Sequence, residues 1–202
     1  MRLPIFILLI LGASGFAADG PTGFVGIPWG ASPEEAKRVM QGRRGVIFPE
    51  NSDDFHIEMT GGTFAGQPVE KWVIEFPERK FASGSVVLKT DGNASTVFKE
   101  FRAQLVSKYG SATTDRKLST ATPGTAGLLG SMALWRFAPT MKEKATVVVS
   151  AALAGGDGKA VTDPALLTVT IRYVNERLAG PPAGNPVASP KPARPPVKKD
   201  DL

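Results

Sequence analysis

The 202-residue chain contains no cysteine and a single histidine, His56. The first absence excludes disulfide staples, thiol nucleophiles, thiolate metal sites and the lipid-modified cysteine of a lipoprotein. The second excludes a helical pair of zinc-binding histidines and obliges any Ser-His-Asp triad to be built around His56. Nothing in the chain approaches the ~20 apolar residues that a membrane-spanning helix requires. Beyond the first residues there is no Gly-x-Ser-x-Gly elbow and no Ser-x-x-Lys motif, so no serine nucleophile is announced. The glycines of residues 61–66 lack the Lys-Ser/Thr ending of a phosphate-cradling loop, and they lie between strands instead of before a helix. Gly155-Gly156-Asp157-Gly158-Lys159 lacks the regularly spaced carboxylates of a calcium loop and reads as a hairpin tip. No cofactor motif is present.

What is there begins with an address. Arg2 precedes a compact apolar run over residues 5–11, and Gly12, Ala13, Ser14, Gly15 and Ala17 lead into polar Asp19. This is the layout of a cleavable secretory signal spanning residues 1–17, with cleavage after Ala17 and Ala18 as the alternative. An exported chain of this size without cysteine fits a bacterial periplasm or the bacterial exterior better than a disulfide-stapled eukaryotic secretion. The final residues, Lys199-Asp200-Asp201-Leu202, differ by one from an endoplasmic-reticulum retention signal and read instead as a charged terminus.

The formal charge is +5. Arg2 leaves with the signal, and Lys191, Arg194, Lys198 and Lys199 belong to the terminal segment, so the folded part is only mildly basic with its signs interspersed. That charge reports on solubility and argues against nucleic acid as the partner, while leaving attraction to anionic lipid or cell-wall polymer open.

Residues 26–35 form an unusually complete helix start. Ser32 can accept from a first-turn amide, Pro33 occupies a position where its missing N–H costs nothing, and Glu35 can close a capping box. The helix is expected to reach Gln41, with Ala36, Val39 and Met40 inward and Gly42 as a left-handed stop. Arg43 and Arg44 complement its dipole, or grip an anion. The period then changes from helix to strand. Phe55, Ile57 and Met59 alternate with His56, Glu58 and Thr60, and Gly61-Gly62 offers a tight hairpin turn. A second strand is expected over residues 69–76, with Trp72, Ile74 and Phe76 on one face and a bend at Gly66-Gln67-Pro68 before it. Pro77-Glu78-Arg79 turns the chain into a third strand over residues 81–88.

Asp91-Gly92-Asn93 opens a longer helix, whose Val97, Phe98, Phe101, Leu105 and Tyr109 recur at three- and four-residue spacings before Gly110. After a Thr- and Gly-rich connection over residues 113–130, strands are expected at 131–137, 145–153 and 166–174. In the last, Leu167, Val169, Ile171 and Tyr173 oppose Thr168, Thr170 and Arg172. The order of helix, three strands, helix, three strands predicts a two-layer α+β domain over residues 22–178, built from two αβββ units with an antiparallel sheet. From residue 179 onward, seven prolines mixed with Gly, Ala and Lys predict a disordered tail. It reads as a spacer, a ligand for a proline-recognising groove, a basic tether, or a plain solvated terminus.

The run Gly26-Ile27-Pro28-Trp29-Gly30-Ala31-Ser32-Pro33-Glu34-Glu35, the Lys108-Tyr109-Gly110 that closes the long helix, and the final alternating strand together resemble uncharacterised bacterial exported proteins. More distantly, the helix-then-sheet repeat is similar to the β-lactamase-inhibitor-like and outer-membrane-assembly small-lipoprotein folds. The resemblance covers most of residues 24–176 and lies in caps and packing positions. It implies a fold and transfers no functional residue, and the anchoring cysteine of the assembly lipoproteins is missing here.

For chemistry, His56 and Glu58 share a strand face and offer two metal ligands, a base with its orienter, or a surface pair. Glu34 and Glu35 belong to the helix start, Asp53 and Asp54 to a loop, and Glu70 and Glu75 to opposite strand faces. Of the three tryptophans, Trp72 and Trp135 read as core, and Trp29 is either the exposed-aromatic candidate for stacking on a sugar or an anchor for the first helix. No catalytic, cofactor or metal residue is assigned. The reading favoured is a non-catalytic envelope protein binding an envelope protein or cell-wall polymer through its sheet or tail. The alternative is a cell-wall or polysaccharide hydrolase whose carboxylates pair only in three dimensions.

Overall fold

The computed structural model describes residues 20–50, 53–117, 130–138, 147–155 and 161–180. The expected signal with Ala17 and Ala18, and the proline-rich segment from residue 181, lie outside the described residues. In chain order the elements are β1 (Gly23–Phe24), β2 (Ile27–Pro28), α1 (Pro33–Gln41), β3 (Val46–Ile47), β4 (His56–Gly61), β5 (Thr63–Phe64), β6 (Gln67–Glu75) and β7 (Ser83–Leu88). There follow α2 (Ala94–Tyr109), β8 (Thr114–Lys117), β9 (Ser131–Phe137), β10 (Val147–Ala154), β11 (Thr168–Asn175) and the short α3 (Glu176–Ala179). Single 3₁₀ turns cover Pro77–Arg79 and Pro164–Leu166.

The fold is α+β. One antiparallel sheet runs in the order β3-β4-β6-β7-β11-β10-β9-β8, with β5 paired beside β6, and β1 and β2 form a separate hairpin. Period-two alternation sends one set of side chains from every strand to the same face. Across the central strands the register aligns Ile57, Ile74, Gly84, Tyr173, Val149 and Trp135 in one inner row. The next row aligns Met59, Trp72, Val86, Ile171, Ala151 and Ala133. Ala36 and Met40 of α1, Val97, Phe98, Phe101 and Leu105 of α2, and Phe24 and Ile27 of the β1–β2 hairpin close over these rows to make a single core. Each large apolar side chain so buried contributes ~1.5–3 kcal/mol.

The α1 start forms as its sequence dictates. The Glu35 amide donates to Ser32 Oγ at 3.2 Å, and the Ser32 amide donates to the Glu35 carboxylate at 2.9 Å. Its end differs from the expectation. Gly42 is right-handed (φ −70°, ψ −9°), and the left-handed residue is Gly45 (φ 78°), three positions later, where the chain turns into β3. Arg43 is drawn away from the helix axis: its guanidinium lies 5.4 Å from the centre of the Trp72 ring and donates to the Thr63 carbonyl. It is a packing residue, held by a cation–π contact.

The tight hairpin turn also moves. Gly61 and Gly62 both adopt positive φ, but the two-residue turn is Ala65-Gly66, between β5 and β6. Gly61-Gly62 instead kinks the chain out of β4. β6 begins at Gln67, and its register against β7 slips between Val69 and Lys71. This bulge, with Glu70 as the extra residue, lets Val69 point inward together with Trp72 and Ile74 in spite of the odd spacing. The connection after α2 contains a strand, β8, that apolar patterning cannot announce because it reads Thr-Asp-Arg-Lys. Its charges suit a sheet edge, and Asp115 is bonded to Arg102 of α2. The fold continues one residue past the expected domain end at Leu178, through α3 to Ala179.

Candidate functional site

The apolar stripes of α1 and α2 pack on one face of the sheet. The register aligns its outward residues in rows. One row reads His56, Glu75, Ser83, Val174, Val148 and Arg136. The next reads Glu58, Val73, Ser85, Arg172, Ser150, Leu134 and Thr114. A third reads Lys71, Val87, Thr170, Ala152, Met132 and Arg116.

An antiparallel sheet with one solvated face ordinarily alternates apolar-in with polar-out. Here the middle of the outward face is small and apolar, with Val73, Val87, Val148, Val174, Ala152, Leu134 and Met132 interspersed with serines. These residues are buried or half-buried, and neither α1 nor α2, whose apolar stripes join the core on the other face, accounts for it. Charge is kept to the flanks and to two arginines. Arg172 donates to Glu75 at 3.0 Å and to Ser83 Oγ at 3.2 Å, and Arg136 donates to Glu176 at 3.4 Å. Part of the face is an open depression of about 1130 Å³ floored by Val148, Val174, Ser150 and Leu134. Phe55 stands at its rim, 59 % exposed.

The chemically suggestive residues do not converge. His56 Nε2 lies 3.1 Å from Glu58 Oε1, and Lys71 Nζ lies 3.7 Å from the same oxygen. The hydrogen bond from His56, aided by Lys71, holds the Glu58 carboxyl below its ordinary range. Both side chains are nearly half exposed, 43 % and 49 %, and no cluster of three potential metal ligands occurs among the described residues. Asp53 caps the start of β4 by accepting from the amides of Phe55 and His56. Asp54 and Glu34 both pair with Arg79, which fastens the Pro77–Arg79 turn to the start of α1. The carboxylates lining the depression, Glu75 and Glu176, are each paired with an arginine and remain open to solvent.

The tryptophans are structural. Trp72 and Trp135 are buried and donate to the Gly61 and Gly110 carbonyls at 2.8 and 2.9 Å. Trp29 is half-buried; its indole N–H donates to Pro21, and one ring face is taken by Phe81 at 5.0 Å, so the exposed-aromatic expectation is corrected. Sequence reasoning missed the apolar outward rows. Their signal was the unbroken Val-Val-Val of β10 and Val-Val-Leu of β7, where alternation fails because both faces are partly buried.

Fold and site together define an α+β domain whose sheet is covered by helices on one face and, among the described residues, carries an open depression on the other. Comparison with protein-family models, with curated proteins and with solved structures finds no match to this chain.

Proposed function

We propose that this chain is an exported, non-catalytic envelope protein that binds a macromolecular partner through the open face of its sheet. One observation carries the reading: the centre of that face is built of small apolar residues where a solvated sheet would carry polar ones. Such a patch costs solubility unless something covers it. Its pleated floor and the exposed Phe55 at the rim suit a protein surface that brings apolar contacts. The bacterial periplasm or exterior is the compartment we assign, with the tail from residue 181 as tether or secondary contact. The meeting of β7 with β11, the third long strand of each half, supports reading the domain as two αβββ units joined edge to edge.

A photo-crosslinking side chain placed at Leu134 or Ser150 is expected to capture a specific partner in the native envelope, and one placed at Glu100 on the exposed side of α2 is not. Capture should persist in a chain ending at Gly180 and vanish with Val174→Glu. Equal labelling from both faces, or from neither, refutes the reading; loss on truncation moves the function to the tail.

A further inference from the structure

The turn that joins β7 to α2 reads Asp91-Gly92-Asn93-Ala94-Ser95. Asparagine followed two residues later by serine or threonine, with no proline between, is the acceptor pattern for N-glycosylation of exported chains. The chain has four asparagines, Asn51, Asn93, Asn175 and Asn185, and only Asn93 has a hydroxyl residue at that distance. Asp91 adds a carboxylate two positions ahead of it. Bacterial acceptor sites are extended in this way, by an acidic group that a basic side chain of the transferase can pair with.

The fold presents these residues on the surface. The Asn93 amide donates to the Thr90 carbonyl at 2.7 Å, and Asp91 (φ 41°) and Gly92 (φ 81°) between them are both left-handed, which makes a tight β-turn. Apart from its chain neighbours, nothing lies within 4 Å of the space a Gly92 side chain would fill. Asp91, Asn93 and Ser95 are all exposed. An asparagine at the start of a helix ordinarily commits its side chain to a first-turn amide. Asn93 does not: it enters α2 with φ −101° and ψ 26° and makes no side-chain capping hydrogen bond, so a group attached to Nδ2 costs the helix no cap. Ala94 is buried, 2 % exposed, so the acceptor enters a transferase before α2 docks, as the exported chain emerges, or while the first turn frays. The site is also clear of the depression on the outward face. Ser83, which lines the depression, and Leu88, beside the turn, lie at opposite ends of β7, about 17 Å apart at ~3.4 Å per residue.

We infer that Asn93 is a glycosylation site that takes an oligosaccharide from a polyisoprenyl-diphosphate donor. The inference rests on the export reading, because the chain must cross the membrane to meet the transferase. In the transfer, Asn93 Nδ2 attacks the anomeric carbon of the donor sugar. An N–C bond forms, the C–O bond to the diphosphate breaks, the lipid diphosphate leaves with the bonding pair, and one amide proton passes to a carboxylate of the transferase. Nothing is oxidised or reduced. The Ser95 hydroxyl and the Asp91 carboxylate are recognition groups that the transferase binds and that do not themselves react. The sugar then stands at the start of α2, where a bulky, solvated group is accommodated by an open turn, and it leaves the outward face of the sheet uncovered.

Mass spectrometry of the full chain recovered from its native envelope tests the inference. The expected result is a mature chain beginning at Ala18 or Asp19 whose peptide around Asn93 carries a sugar mass, placed on Asn93 by fragmentation. Asn93→Gln and Ser95→Ala should each abolish that mass, and Ser95→Thr should keep it, because threonine supplies the same hydroxyl. Asp91→Asn should empty the site as well, since asparagine tolerates the left-handed turn and removes only the charge. The three positions are exposed and Asn93 makes no cap, so these variants do not threaten folding. A mature chain with Asn93 bare overturns the inference and leaves the export reading standing, whereas a chain that still carries residues 1–17 overturns both. Sugar that survives Ser95→Ala or Asp91→Asn overturns the assignment of this turn as the acceptor.

Discussion

Gly84 occupies the middle of the inner row, between Ile74 and Tyr173, and the ring of Phe24 rests where its side chain would be. A Cβ built there would lie 2.2 Å from Phe24 Cδ1, 2.7 Å from Cγ and 2.8 Å from Cε1. Carbon atoms pack favourably at ~3.5–4.0 Å, so Gly84→Ala forces the ring to retreat by more than ~1 Å. Retreat is obstructed, since Phe24 is already packed on Tyr173 at 5.3 Å, Phe64 at 6.1 Å and Trp72 at 6.2 Å. Overpacking of this kind costs ~1–3 kcal/mol, opposed by the ~0.4–1 kcal/mol that alanine gains over glycine through the unfolded chain. We expect a net loss of about 1–2 kcal/mol, read as a lower urea midpoint at constant slope and a melting temperature lower by roughly 2–8 °C. The decisive comparison uses Phe24→Ala, which alone costs ~3–5 kcal/mol by leaving a void. In that background the obstructing ring is gone, and Gly84→Ala should be neutral or stabilising. The cycle should therefore show a coupling of about 1–3 kcal/mol. An equal loss in both backgrounds would mean that Phe24 does not occupy the Gly84 slot, and the inner-face packing described here would be wrong.

Removing the capping hydroxyl with Ser32→Ala should cost about 1 kcal/mol in urea unfolding, since the Glu35 amide loses its acceptor. Glu75→Gln breaks an exposed pair with Arg172 and should shift stability by less than ~1 kcal/mol, measured the same way. His56→Ala should raise the Glu58 carboxyl toward its ordinary value in an NMR titration. Because that carboxyl is depressed in the folded state, the stability it adds is present at neutral pH and is lost as pH falls below ~4.3. Tyr173 has the opposite sign. Its phenol is raised when folded, so its contribution is complete below pH ~10 and declines as pH rises further. The chain has only two tyrosines, so in Tyr109→Phe the 295 nm tyrosinate signal belongs to Tyr173 and should appear only together with alkaline unfolding.

What could be read in advance was whatever depends on neighbours in the chain. The Ser32–Glu35 capping box, the Val97-Phe98-Phe101-Leu105 stripe of α2 and the alternation of β11 each follow from short-range spacing, and each stands in the structure. The inward setting of Trp72 and Trp135 followed from the apolar company they keep. Where local patterns failed, long-range partners had taken over. Arg43 follows Trp72 instead of its helix end, Gly45 turns the chain in place of Gly42, and the bulge at Glu70 resets which residues of β6 face the core. β8 carries no hydrophobic signal at all, because an edge strand is held by hydrogen bonds to β9 and by Asp115 against Arg102. The candidate surface belongs to this second kind. Its outward rows combine residues from seven strands and exist only once the register is set. The sequence by itself determined the class of the domain and the identity of its caps and stripes, because helix and strand periods are written at spacings of two to four residues. Which strands adjoin and which face of the sheet the helices cover were decided only by tertiary structure, because burial is a property of packed surfaces and not of the chain order that supplies them.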